Sequence, residues 1–173
     1  AQLKEYSQKA LDTWRKNNPS KVLDKTPFWT VGEVWGHGVE KDDYFTTGKF
    51  DALINFSFRQ NVMNRSLLPD TYDYMAKTLR SEKNFNVLSY ISSHDDALFP
   101  RSDLINGGNY LLLAPGAIQI YYGDESARER QWKDLSANDL TLRSNMNWGS
   151  VNQKVLKHWQ TVGSFRSRHP AVG

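Results

Sequence analysis

Four short segments rich in apolar and β-branched residues recur along the chain, at 28–34, 52–56, 86–91 and 117–122, and their spacing restricts the fold more than any other feature. Their starts lie roughly 25 to 35 residues apart, too far for hairpins and right for crossover βα units. Strands that read as continuous apolar runs with helices between them predict a parallel sheet buried on both faces. With 173 residues, the chain has the size of one domain. A complete eight-stranded β/α barrel, which usually takes about 250 residues, does not fit that length. A small open α/β sheet is the structural alternative.

The intervening stretches carry helical periodicity. Leu3, Tyr6, Ala10, Leu11 and Trp14 share one face of a helix that ends around Asn17, Asn18 and Pro19, and that face needs something to pack against. Asp70 is placed as the N-cap of a helix presenting Tyr72, Met75, Ala76 and Leu79. A further helix is expected over 103–114, weakened by Gly107 and Gly108. The region 126–147 reads as loops with a short helix. Ser150 and Gln153 have the spacing of a capping box before a final helix with Val155, Leu156, Trp159 and Val162 inward.

Composition narrows the functional classes. Lys and Arg number 22 against 19 Asp and Glu, a formal charge of +3 with both signs interspersed, so no stretch resembles a nucleic-acid arm or a polybasic membrane anchor. A mean hydropathy of −0.66 and the lack of a long apolar run exclude a membrane span, and the opening residues have no signal-peptide layout. The absence of cysteine removes disulfides, thiolate nucleophiles and cysteine metal sites, but leaves the compartment open. Because the chain starts directly in a predicted helix, it reads as the interior of a longer polypeptide.

Chemistry-bearing side chains gather at the predicted strand ends, where parallel α/β proteins assemble their sites. Glu33, set in TVGEVWG between Gly32, Val34 and Trp35, is expected to be partly desolvated, which favours the protonated form and suits a general acid. The other reading is a salt-bridged surface glutamate. His94 and Asp95 in YISSHDD fit either a polar-substrate site or a local cap. Asp124 and Glu125 in YYGDE suit buried structural links better than a site. Trp29, Trp35, Tyr121 and Tyr122 are compatible with stacking on sugar rings, and Trp35, beside Glu33, is the foremost of them. No metal site is assigned: the four histidines, at 37, 94, 158 and 169, lack zinc spacing. No phosphate loop or nucleophile elbow follows any strand.

Taken together and in order, TVGEVWG, YISSHDD and APGAIQIYYGDE resemble the second half of the catalytic barrel in the α-amylase family of retaining glycoside hydrolases, especially its bacterial periplasmic-type members. The resemblance covers nearly the whole chain. It implies a partial (β/α)8 TIM barrel of the α/β class, with residues 1–173 supplying strands five to eight and their helices while the first half is absent. By this resemblance Glu33 matches the general acid/base, Asp95 the carboxylate that binds ring hydroxyls and stabilises the transition state, His94 a substrate-hydroxyl ligand, and Trp35 a substrate-binding aromatic.

The resemblance further implies a parent enzyme that hydrolyses internal α-1,4-glucosidic bonds of starch, glycogen or maltodextrins with retention. Retention needs a second carboxylate about 5 Å from the acid, and the family's nucleophilic aspartate follows the fourth strand, ahead of the region matched here. The isolated chain is therefore expected to be inactive. α-Glucosidase, cyclodextrinase or transglycosylase specificity is the nearest alternative, and a non-enzymatic carbohydrate-binding module is the alternative of another class. Implied partners are an α-glucan or maltooligosaccharide and the first half of the barrel, with self-association of the fragment through open sheet edges. No nucleic acid or membrane is among them. The resemblance also implies a periplasmic or secreted location, and Ca2+ in the parent enzyme bound mainly by loops of the other half.

Overall fold

The computed structural model describes residues 1–81, 85–131 and 138–172. Four strands, β1 (Val31–Gly32), β2 (Ala52–Asn55), β3 (Asn86–Ser89) and β4 (Ala117–Ile118), form one sheet in the order β1-β2-β3-β4, and every pairing is parallel. Sequential order with parallel pairing brings all strand carboxyl ends to one rim. The inner pair runs in full register from Ala52 opposite Asn86 to Asn55 opposite Ser89. Each outer strand pairs over two residues only, shorter than the predicted 28–34 and 117–122. An edge strand has one neighbour to hold it, so the first segment pairs only at Val31 and Gly32 and the last only at Ala117 and Ile118.

Helices α1 (Gln2–Asn17), α2 (Asp43–Thr46), α3 (Phe56–Asn61), α4 (Leu68–Ser81), α5 (Leu104–Leu112), α6 (Asn138–Leu142) and α7 (Gln153–Arg168) complete the order. The main core lies on one side of the sheet, where Leu53 and Val87 meet Met75 of α4 and Leu104 and Leu111 of α5. On the opposite side Ile54 and Leu88 are only half-buried, so the sheet is not covered on both faces as predicted. The predicted inward face of α1 also lacks cover: none of its residues is buried, and Leu3 and Tyr6 are 69% and 67% exposed. The helix is attached by polar contacts, including Lys4 to Asp51 and the Gln8 side-chain oxygen Oε1 accepting from the Phe28 amide at 2.6 Å.

Two predicted caps are corrected. Asp70 lies inside the first turn of α4, because the turn of 3-10 helix at Arg65–Leu67 runs straight into Leu68 and moves the start earlier. Ser150 closes another such turn, and Asn152 is the residue that caps α7, accepting from the Val155 amide at 3.1 Å. Part of the predicted loop region, 132–137, lies outside the described residues.

The two helix-weakening glycines have a packing reason. A Cβ on Gly107 would come within 2.8 Å of the Phe99 ring, and one on Gly108 within 2.8 Å of the Trp159 indole. The bare backbone of Gly108 lets α5 approach α7 closely enough for Trp159 Nε1 to donate to the Leu104 carbonyl at 2.8 Å, while that of Gly107 makes room for the Phe99 ring. Arg166 of α7 donates to the carbonyls of Leu112 and Ala114, at 3.1 and 2.7 Å, satisfying acceptors that the end of α5 leaves without intrahelical partners.

Candidate active site

The carboxyl rim collects the residues singled out from the sequence. Glu33 and Trp35 follow β1, while His94 and Asp95 follow β3, and these four line one pocket of about 150 Å³. Phe56 at the end of β2 and Tyr90 just after β3 form its apolar wall, meeting edge to face with ring centres 5.9 Å apart. Gln119, next after β4, adds an amide. A larger concavity of about 660 Å³ lies around Lys4, Glu5, Lys49 and Asp51 at the amino end of β2. It contains none of the strand-end residues.

Glu33 is exposed, so the predicted desolvation does not hold in this chain. The reason is topological: β1 is an outer strand with no neighbour on its far side, and the Trp35 ring lies against Phe56, 5.0 Å between centres. Trp35 itself is 77% exposed, which leaves its indole face open to a ligand.

Asp95 is held from two sides. Arg143 donates to its Oδ1 at 2.9 Å, and His94 Nε2 lies 3.0 Å from Oδ2. The backbone amides of Asp95 and Asp96 both donate to Ser93 Oγ, at 3.3 and 3.0 Å, folding 93–96 into a tight turn. Tyr90, almost fully buried, has its hydroxyl pushed up to about 12. Burial is the main cause, Asp96 adds to it, Arg59 opposes it, and Glu33 and Asp95 contribute further.

The remaining candidates fall into structural roles. Asp124 is fully buried, accepts from Ser92 Oγ at 2.7 Å and pairs with Arg101 at 2.8 Å. Glu125 accepts from the Gly123 amide at 3.0 Å, inside a turn whose φ of 91° favours glycine. His37 is buried between the Gly38 carbonyl and Asp42, at 2.9 and 2.8 Å. Tyr121 and Tyr122 donate to the carbonyls of Leu142 and Ser144, at 3.2 and 2.8 Å, and Trp29 stays half-exposed beside the outer strand. Among the described residues, no group of three or more His, Cys, Asp or Glu is placed to hold a metal ion.

Sequence reasoning missed Phe56, Tyr90, Gln119 and Arg143. The first three follow from the strand-end rule applied to every strand. Arg143 had no local signal: it reaches Asp95 from 48 positions away, presented by a segment that Arg128 pins through the carbonyls of Leu142 and Ser144, at 3.1 and 3.2 Å. Arg128 in turn stacks over Tyr122, 4.1 Å from the ring centre.

A parallel sheet with helices on one side and a carboxylate-lined pocket on its carboxyl rim defines one side of a β/α barrel with a polar site at its mouth. Solved structures agree on the fold. An AmyP variant in complex with maltotriose matches with a TM-score of 0.54 at 13% identity, covering 83% of this chain and 39% of that one. AmyP in complex with maltose matches at 0.51 and 14%, covering 83% of this chain and 38% of that one. No protein-family profile matches the chain. In sequence, 99% of it is 45% identical to the periplasmic α-amylase of Escherichia coli (strain K12), of which it spans 26%. The chain is related to part of an α-amylase. No helix among the described residues is long and apolar enough to cross a membrane.

Proposed function

We propose that residues 1–173 are the second half of the catalytic barrel of an endo-acting α-amylase, and that Glu33, His94, Asp95 and Trp35 belong to its active site. The observation that carries this reading is the convergence of these four side chains on one pocket at the carboxyl rim, in a chain 45% identical to a periplasmic α-amylase. Glu33 protonates the leaving glycosidic oxygen and then deprotonates the attacking water, a role suited to a carboxyl group open to the pocket. Asp95, with Arg143 donating to Oδ1 and His94 beside Oδ2, acts as an oriented acceptor for ring hydroxyls and as a negative charge facing the developing oxocarbenium ion. His94 binds a hydroxyl beside it, and Trp35 offers its face to a sugar ring. The nucleophilic carboxylate comes from the first half of the barrel.

That first half is also the partner that covers the half-buried sheet face and the apolar side of α1. Without it, self-association of the 173-residue chain through these surfaces is expected, and light scattering that shows a monomer across a wide concentration range speaks against it. The substrate class is an α-1,4-glucan or maltooligosaccharide, and the location is periplasmic or secreted. Calcium in the whole enzyme belongs to the same reading, bound mainly by loops of the first half, and no step here passes through it.

The test is reconstitution. The purified 173-residue chain should not release reducing ends from maltooligosaccharides, whereas the polypeptide that joins it to the first half should. Glu33→Gln in that polypeptide should lower kcat by roughly 10²–10⁴-fold. Turnover by the short chain alone, or full activity of the variant, overturns the proposal.

A further inference from the structure

Two polar groups without partners line the same small pocket on the carboxyl rim. Tyr90 is 3% exposed, and among the described residues its hydroxyl has no hydrogen-bond partner. Its oxygen is not among the sealed, unpartnered atoms, so it is reached from the cleft that its side chain lines. Glu33 lines that cleft too, and among the described residues its exposed carboxylate has neither a hydrogen bond nor an ion pair. A nearly buried donor without an acceptor is destabilising, and a fold keeps one where function supplies the acceptor.

The donor is fixed in place. Phe56 meets the Tyr90 ring at 89°, and Trp35 lies against Phe56 in turn. A phenol oxygen lies on the axis about which its ring flips, so a ring packed in this way holds its oxygen still and leaves only the O–H direction free. The acceptor follows by elimination. Three carboxylates bear on the hydroxyl, those of Asp96, Glu33 and Asp95. Asp96 has Arg59 at 3.4 Å, and Asp95 has Arg143 at 2.9 Å and His94 at 3.0 Å. Glu33 has no such partner among the described residues, and it follows a strand paired over two residues only, which leaves it free to move to the donor. We infer that Tyr90 is a positioning residue for Glu33: its hydroxyl donates to one carboxylate oxygen when the outer strand is docked, which leaves the other oxygen, with its proton, turned to the glycosidic bond. This rests on the reading of Glu33 as the acid/base given above.

The test is Tyr90→Phe in the polypeptide that joins this chain to the first half. The change keeps the ring and removes a hydroxyl that has no hydrogen bond to lose among the described residues, so the thermal midpoint should not move. With maltotetraose, kcat/KM should fall about tenfold, the effect of a misplaced acid. α-Maltosyl fluoride presents a leaving group that departs without a proton, and the loss on it should shrink to within about twofold. Glu33→Gln should show the same contrast between the two substrates more steeply. An equal loss of Tyr90→Phe on both substrates assigns the hydroxyl to the sugar or to the fold, and no loss on either leaves it idle. Both results overturn the positioning role while the active-site reading stands. If Glu33→Gln hydrolyses maltotetraose as the parent does, the reading of Glu33 falls and the role of Tyr90 falls with it.

Discussion

Arg101 and Asp124 pair at 2.8 Å across the base of the segment that bears His94 and Asp95. Arg101 also donates to the Phe99 carbonyl at 2.7 Å, and Ser92 Oγ links the pair to the Phe99 amide at 2.9 Å. The two ends of 92–101 are thereby tied to the turn after β4, and the site residues between them sit on a closed loop. Replacing Asp124 with Ala strands a nearly buried guanidinium, and the expected cost is about 3 kcal/mol. Denaturant unfolding measures that cost, and faster hydrogen exchange at the Phe99 amide reports the opened loop.

Asp124 also sets a pH dependence. Burial pushes its carboxyl up from 3.8, against the pull of Arg101 and Ser92, so between 3.8 and the raised native value the folded state binds more protons than the unfolded one. Stability then falls as pH rises through that window. Relative to Asp124→Asn, which cannot ionise, the parent chain should lose ground with rising pH, as read from urea midpoints at a series of pH values.

Asp51 has the opposite sign. Burial works to raise its carboxyl, but Lys4 and the amide and hydroxyl of Thr30, both 2.8 Å from Oδ2, together hold it below 3.8. Its contribution is present above that value and is lost as pH falls through the lowered native one. Asp51→Asn should cost about 1 kcal/mol at neutral pH, with the difference from the parent shrinking in acid. The same series of urea midpoints checks it.

Gly108→Ala pits helix propensity against packing. Alanine gains about 1 kcal/mol in a helix interior, but its methyl group would sit within 2.8 Å of the Trp159 indole, which is anchored by its own hydrogen bond to Leu104. Overpacking of about 1–3 kcal/mol is expected to win or at least cancel the gain. A thermal midpoint above that of the parent chain would show that α7 gives way freely.

Arg143→Ala separates binding from stability. The Arg143 and Asp95 side chains are both close to half-exposed, so their pair adds at most about 1 kcal/mol to folding. The unfolding midpoint should barely move. Under the proposed function, calorimetric affinity for maltotriose should nevertheless fall, because Asp95 loses the donor that orients it.

The parallel sheet, its four strand segments and the longer helices between them were legible because apolar runs and helical periodicity are local signals. So was the meeting of Glu33 with His94 and Asp95, since a parallel sheet sends every strand end to one rim. The lengths of β1 and β4 were not, because β propensity does not reveal how many neighbours a strand will have. Nor was the exposure of Glu33, which depends on that same outer position. The arginines were least legible: Arg59, Arg101, Arg128 and Arg143 act through partners distant in sequence, and a charged residue in an irregular stretch looks the same whether it is solvated or pinned.

The two-residue pairing of β1 has a bearing on any measurement of affinity. Local opening is easiest where few backbone bonds must break, and Glu33 hangs from that strand while Asp95 is tethered to the longer β3 through the braced loop. One wall of the pocket is thus anchored and the other hinged. Under the proposed function, a sugar that touches both must hold the outer strand in place, so its apparent binding energy is the contact energy less the cost of keeping that strand docked. Any addition that secures β1 should tighten binding without touching the sugar.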